Sequence, residues 1–153
     1  MTAQETEQVA YHEAGHIFCA HFFRHKITRA SLDACEVKLP AAADGVTPAG
    51  QTAFETIVVS LAGSCASQRF SGNGVNGAGA DNAYVKYLAL RLSEGRQSEA
   101  DALLDWSRCR AAGLVERDWR AIQAVAEALT ERSTLTEAEI HKIIGGTKDG
   151  VAE

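Results

Sequence analysis

At 153 residues, with 20 acidic against 15 basic side chains and a formal charge of -5 at pH 7, the chain suits one folded domain. It lacks the basic surplus that nucleic-acid phosphates demand, and its 46% hydrophobic and 23% charged fractions are ordinary for a soluble globular protein. No apolar stretch is long enough to cross a bilayer, and the polar, acidic start from Met1 to Gln8 is unlike a secretory signal, so a cytoplasmic setting without a membrane segment is expected.

The first predicted element is a helix from about Gln4 to Phe23. It is free of Pro, and Val9, Phe18, Ala20, Phe22 and Phe23 give it the apolar surroundings of a core helix. Inside it stands the string His12-Glu13-Ala14-Gly15-His16. Positions i and i+4 share one helix face, so His12 and His16 can offer two imidazole nitrogens to a single metal ion. Glu13 lies one residue round, where its carboxylate can reach a metal-bound water rather than the metal. Two neutral nitrogen ligands, an adjacent base and open coordination positions are the donor set of a zinc hydrolase. Such a string also arises by chance, and most helical histidines are solvated or satisfied by a neighbour. The apolar context favours the metal. Cys19 follows on roughly the same face, close to the site without being a ligand. His21 and His25 repeat the i, i+4 spacing almost opposite His12 and His16, with no carboxylate between them, and read as a solvated or half-buried face.

Beyond this helix, the mixed apolar residues from Ile27 to Leu39 predict one or two strands, and Pro40 to Gly50 a loop. A second helix is expected over Thr52 to Phe70, where Phe54, Ile57, Val58, Leu61, Ala62, Cys65 and Ala66 recur at helical steps. Gly63 within it predicts close packing against another backbone. The glycine-rich segment Ser71 to Ala80 then leads to Asp81, which opens a third helix with Tyr84, Tyr87, Leu88 and Leu92 on its buried side. Gly95 interrupts, and Ser98 can cap a fourth helix carrying Leu103, Leu104 and Trp106. Gly113 is expected to separate that helix from a fifth, about Val115 to Arg132, with Trp119, Ile122, Val125, Ala126 and Leu129 along one side. Thr136 and Glu139 form a capping box for a short last helix through Ile140, Ile143 and Ile144, stopped by Gly145 and Gly146. The fold class expected is mainly α: a single helical domain over residues 1–153 with a small β element near its N-terminal third. Cys19, Cys35, Cys65 and Cys109 show no CxxC pairing and read as small buried residues in a reducing compartment.

A catalytic zinc needs a third protein ligand. A histidine three residues beyond a glycine is ruled out, because Cys19 and Phe22 occupy those places. Glu55 or Glu99 from later helices could serve, although neither has a distinctive context. Asp81 is the stronger candidate, since the glycines before it allow close backbone approach and a helix start places its carboxylate firmly. Asp81 could equally be a plain helix cap.

The run Val9-Ala10-Tyr11-His12-Glu13-Ala14-Gly15-His16 resembles the active-site helix of the FtsH-type ATP-dependent zinc metalloproteases. In order along the chain, Leu61-Ala62-Gly63 is similar to that family's Leu-Ala-Gly-Arg-Ala-Ala helix, and Gly77-Ala78-Gly79-Ala80-Asp81 to its Gly-Ala-Ser-Asn-Asp segment, whose final Asp is the third zinc ligand. The tail from Ala126 to Ile144 resembles the closing helices. The resemblance implies zinc on His12, His16 and Asp81, with Glu13 as general base. It departs from the family at Ala80, where Asn is usual, and near Ser67 and Gln68, where acidic residues are usual. No G-x-x-x-x-G-K-[ST] phosphate loop occurs, so the likeness covers the peptidase part alone.

The activity implied is hydrolysis of peptide bonds in flexible or unfolded protein segments, since no unfoldase is at hand to open folded substrates. The strand region Ile27 to Leu39 could pair with an extended peptide. A separate ATPase partner fits the same resemblance, as does homo-oligomerisation, because family members form hexamers through rings that include the ATPase half. The alternative from another class is a non-catalytic, peptidase-like binding or regulatory module.

Overall fold

The structure is a computed structural model that describes residues 1–39, 50–72 and 78–148, with the side chains of 78–82 outside the description. The expected loop at Pro40 to Gly50 therefore lies outside the described residues, except for Gly50, and so does the middle of the glycine-rich segment. What is described is mainly helical, with a small antiparallel sheet.

Helix α1 spans Ala3–Phe22. Thr2 opens it through a capping box: its hydroxyl accepts the Glu5 N–H at 3.1 Å, and the Glu5 carboxylate accepts the Thr2 N–H at 2.6 Å. That Thr-x-x-Glu spacing is a helix-start signal, and it begins α1 one residue before the expected Gln4. The chain leaves α1 through Arg24, held at φ 60°, and the His25 N–H then donates to the Ala20 carbonyl at 2.9 Å. Strands β1 (Lys26–Ser31) and β2 (Cys35–Lys38) follow as an antiparallel pair, with Ile27 opposite Val37, Ala30 opposite Cys35, and a register shift between Ile27 and Arg29.

Four helices come next: α2 (Gly50–Ser71), α3 (Ala78–Leu92), α4 (Gln97–Arg117) and α5 (Trp119–Arg132). The two-residue strand β3 (Thr134–Leu135) and α6 (Glu137–Thr147) close the chain. Strand β3 pairs with the other side of β1, giving the order β2-β1-β3. Nothing in a two-residue Thr-Leu stretch announces a strand; Ser133, at φ 67°, turns the chain after α5 so that it meets β1.

Helix α1 is the centre of the molecule. Ala14, Ile17 and Phe18 pack with Ala62 and Ala66 of α2, Ile122, Val125 and Leu129 of α5, and Ile140 and Ile144 of α6. A second cluster joins Ile57 of α2 to Val85, Leu88 and Ala89 of α3 and to Leu104 of α4. Tyr11 stacks between Phe70 (centroids 4.1 Å apart, planes at 11°) and Trp119 (5.2 Å, 20°), which fixes α1 against α2 and α5 one residue before His12.

Three expectations about glycines and caps need correction. Gly113 does not end a helix: α4 runs through it, because Ala111, Leu114 and Val115 are buried and their packing outweighs a Gly penalty of about 1 kcal/mol. The break falls instead at Asp118. Gly145 and Gly146 likewise lie inside α6, which continues to Thr147. Ser98 is not the cap of α4; Arg96 stands at that position without a side-chain cap, after the left-handed pair Glu94 and Gly95. The capping box of Thr136 and Glu139 does open α6.

Two further expectations fail on burial. Tyr84 and Tyr87, placed on the buried side of α3, are 42% and 47% exposed, while Val85, Leu88 and Ala89 face inward. Of the four cysteines, all free, Cys19 alone is buried and Cys109 is exposed. No described helix is long and apolar enough to cross a membrane.

Candidate metal centre

His12 and His16 lie on one face of α1, pressed against α2, and their Nε2 atoms approach to 3.1 Å. Two small residues make this approach possible. A Cβ on Gly15 would meet the Ala62 carbonyl oxygen at 2.4 Å, so the two helix backbones touch there. A Cβ on Gly63 would stand 2.3 Å from His16 Nε2 and 2.9 Å from His12 Nε2, so the imidazole pair fills the space a side chain would take. The close packing expected at Gly63 is present, although its partner is the histidine pair rather than a backbone.

The His16 ring is oriented by its other nitrogen. Nδ1 lies 2.7 Å from the Val59 carbonyl oxygen, which can only accept, so Nδ1 carries the proton and Nε2 of the neutral ring keeps its lone pair. His12 differs: its Nδ1 is buried without a hydrogen-bond partner among the described residues. Burial, and then the neighbouring His16, push the His12 pKa down to about 4, which keeps its imidazole neutral at pH 7. Neutral rings are the form that ligates a metal.

The spacing of the two imidazole nitrogens is compatible with a single zinc ion. Two nitrogens bound at about 2.0–2.1 Å in tetrahedral geometry sit about 3.3 Å apart, and the observed 3.1 Å is close to that spacing. Burial pushes the thiols of Cys19 and Cys35 up to about 12, so both are protonated at pH 7. Among the described residues no group of three His, Cys, Asp or Glu converges on one point. Glu55, weighed as a third ligand, instead bonds His25 Nε2 at 2.8 Å, and Glu99 pairs with Arg96 on the surface of α4. Asp81 lies in the first turn of α3; its side chain is outside the described residues, and so is that of Ala80 before it.

Glu13 is half-buried, and its charge contributes to raising the Cys35 thiol, which places the carboxylate on the side of α1 that looks towards β2. On the same side a cavity of about 210 Å³ is lined by His16 with Cys35 and Val37 of β2, Thr56 and Ser60 of α2, and Tyr84 of α3. His25 and Leu39 complete part of its wall.

Several of these neighbours were not legible beforehand. Val59 acts through its backbone carbonyl, which no residue type signals. His25 does not pair with His21: it leaves the helix and bonds Glu55, while His21 Nε2 lies 2.9 Å from His141 Nδ1 on α6. The expected half-buried face is correct for His21, whereas the His25 side chain is only 6% exposed.

No protein-family model matches the chain, and no curated protein matches it.

Proposed function

We propose that the chain is a zinc-dependent metallopeptidase that hydrolyses peptide bonds in flexible or unfolded protein segments. The observation that carries this reading is the convergence of His12 and His16 Nε2 to 3.1 Å on the helix that also bears Glu13. The resemblance of that helix to FtsH-type peptidases supports it, and so does the cavity beside His16.

His12, His16 and Asp81 are the residues that would hold the metal, which when bound supplies a Lewis acid and lowers the pKa of a coordinated water towards about 7. Glu13 takes the water proton on its carboxylate as attack begins and returns a proton to the leaving amine. Val59, through its carbonyl, holds His16 in the ligating tautomer. Strand β2, an edge strand among the described residues, runs along the cavity and offers its main chain to an extended peptide. A strand-like substrate must be unfolded where it binds, which agrees with a preference for flexible segments. A separate ATPase would extend that range to folded substrates.

The test is digestion of casein by the purified chain, with and without a chelator, beside metal analysis of the same sample. Chelator-sensitive cleavage with stoichiometric zinc is expected. Bound zinc without cleavage would instead favour the binding-module reading, and a chain that takes up no zinc would end the peptidase reading.

A further inference from the structure

Away from the His12 and His16 pair, the end of α1, the start of β1 and helix α6 enclose a cavity of about 760 Å³. Phe18, Phe22 and Ile144 give it an apolar floor. Its walls carry four cations, Arg24, Lys26, Arg117 and Lys148, against two acids, Asp118 and Glu137. Both acids are already engaged. Asp118 pairs with Arg117 at 2.7 Å, and Glu137 Oε2 accepts the Ile27 N–H at 2.8 Å. Among the described residues Arg24, Lys26 and Lys148 have no carboxylate partner. A local surplus of positive charge in a chain of net charge -5 is therefore left facing one cavity.

Two independent features point the same way. Arg24 sits at φ 60°, in the region that favours glycine, so the turn carries a guanidinium at the rim despite backbone strain. At the wall, His21 Nε2 and His141 Nδ1 meet at 2.9 Å. That contact uses one donor and one acceptor, which leaves at least one ring N–H for a further acceptor. A metal ion on this pair is disfavoured by the same surroundings: Glu137 is turned to the β1 backbone, no third ligand converges among the described residues, and three cations face the site.

We infer that this cavity binds a small organic phosphate, its oxygens held by Arg24, Lys26, Lys148 and the histidine pair, and its apolar body laid on Phe18, Phe22 and Ile144. A phosphate suits three separated cations better than a carboxylate, because it offers three oxygens and nearly two charges. A nucleic-acid strand does not suit, since the positive charge is confined to one cavity on an acidic chain. None of these residues belongs to the proposed zinc machinery, so the inference stands or falls apart from the peptidase reading.

The experiment is calorimetric titration of the whole chain, at low ionic strength, with phenyl phosphate, inorganic phosphate and phenol. Phenyl phosphate is expected to bind about tenfold or more tighter than either fragment. The exposed double substitution Lys26→Gln with Lys148→Gln should weaken it about tenfold while leaving the thermal melt unchanged. Arg24→Gly, which relieves the strained turn, should weaken binding without lowering the melting temperature. Absence of binding at millimolar phenyl phosphate, affinity unchanged in the lysine double variant, or inorganic phosphate binding as tightly as phenyl phosphate would each overturn the assignment.

Discussion

His16 Nδ1 donates to the Val59 carbonyl across 2.7 Å, tying the first helix to a residue 43 positions later on α2. The bond fixes both the rotation of the ring and the nitrogen that keeps a lone pair. It also explains why Gly63 matters, one turn further along α2: a ring held from behind by Val59 cannot swing away from whatever stands at position 63.

Gly63→Ala should therefore separate the imidazoles. Overpacking of this kind costs about 1–3 kcal/mol, and a zinc affinity about 10–100-fold weaker is expected, as for loss of an outer-shell partner. Competition titration against a chromogenic chelator reads the affinity. A variant that binds zinc like the parent would show that the His12 and His16 geometry does not depend on this contact.

Glu13→Gln keeps the size of the side chain and removes its basicity. Peptide hydrolysis should fall by about 10²–10⁴-fold, while zinc content stays near the parent's because Glu13 is not a ligand in this scheme. Full activity in the variant would remove Glu13 as the general base.

For Asp81→Ala, reduced zinc occupancy after dialysis is expected, with the helical signal in circular dichroism retained. The motivation is its position in the first turn of α3, behind a glycine-rich segment. Unchanged metal content in the purified variant takes Asp81 out of the ligand set.

Tyr11→Ala tests the aromatic stack that holds α1 beside α2 and α5. Tyr11 is buried and sandwiched by Phe70 and Trp119, so truncation should cost about 3–5 kcal/mol, as for other large aromatic deletions. Urea unfolding measures it; a loss under about 1 kcal/mol would mean that the site collapses around the gap.

His21 provides a pH signature away from the zinc residues. Burial first, then His141 and Lys148, lower its pKa from the usual 6.5, with Glu137 opposing. Above pH 6.5 both folded and unfolded chains hold a neutral His21, and its stability contribution is fully present. As pH falls through 6.5 the unfolded chain takes up the proton first, so stability drops until the lowered folded pKa is passed. His21→Gln should flatten that acid-side slope in unfolding curves recorded across this range. Superimposable pH profiles for parent and variant would contradict the lowered pKa.

Much of the architecture was readable because its causes are local. The start of α6 follows from Thr136 and Glu139, three residues apart, and the apolar face of α5 from the steps between Trp119, Ile122, Val125 and Leu129. The misplaced ends have long-range causes. Gly113 stays helical because Leu114 and Val115 are held by other elements, and Tyr84 and Tyr87 point outward because Leu88 and Val85 already fill the contact with α2 and α4. A preference of about 1 kcal/mol per residue yields to burial of a few large side chains.

The candidate centre divides along the same line. By itself the sequence determined that His12 and His16 share a face with Glu13 beside them, because the pitch of a helix is fixed by its own backbone hydrogen bonds. Only the tertiary structure decided that Val59 orients one ring, that Gly63 yields its side-chain space to both, and that His21 and His25 part to meet His141 and Glu55. Those contacts join residues far apart in the chain, and they form only where the packing of α1 against α2 and α6 brings the groups within reach.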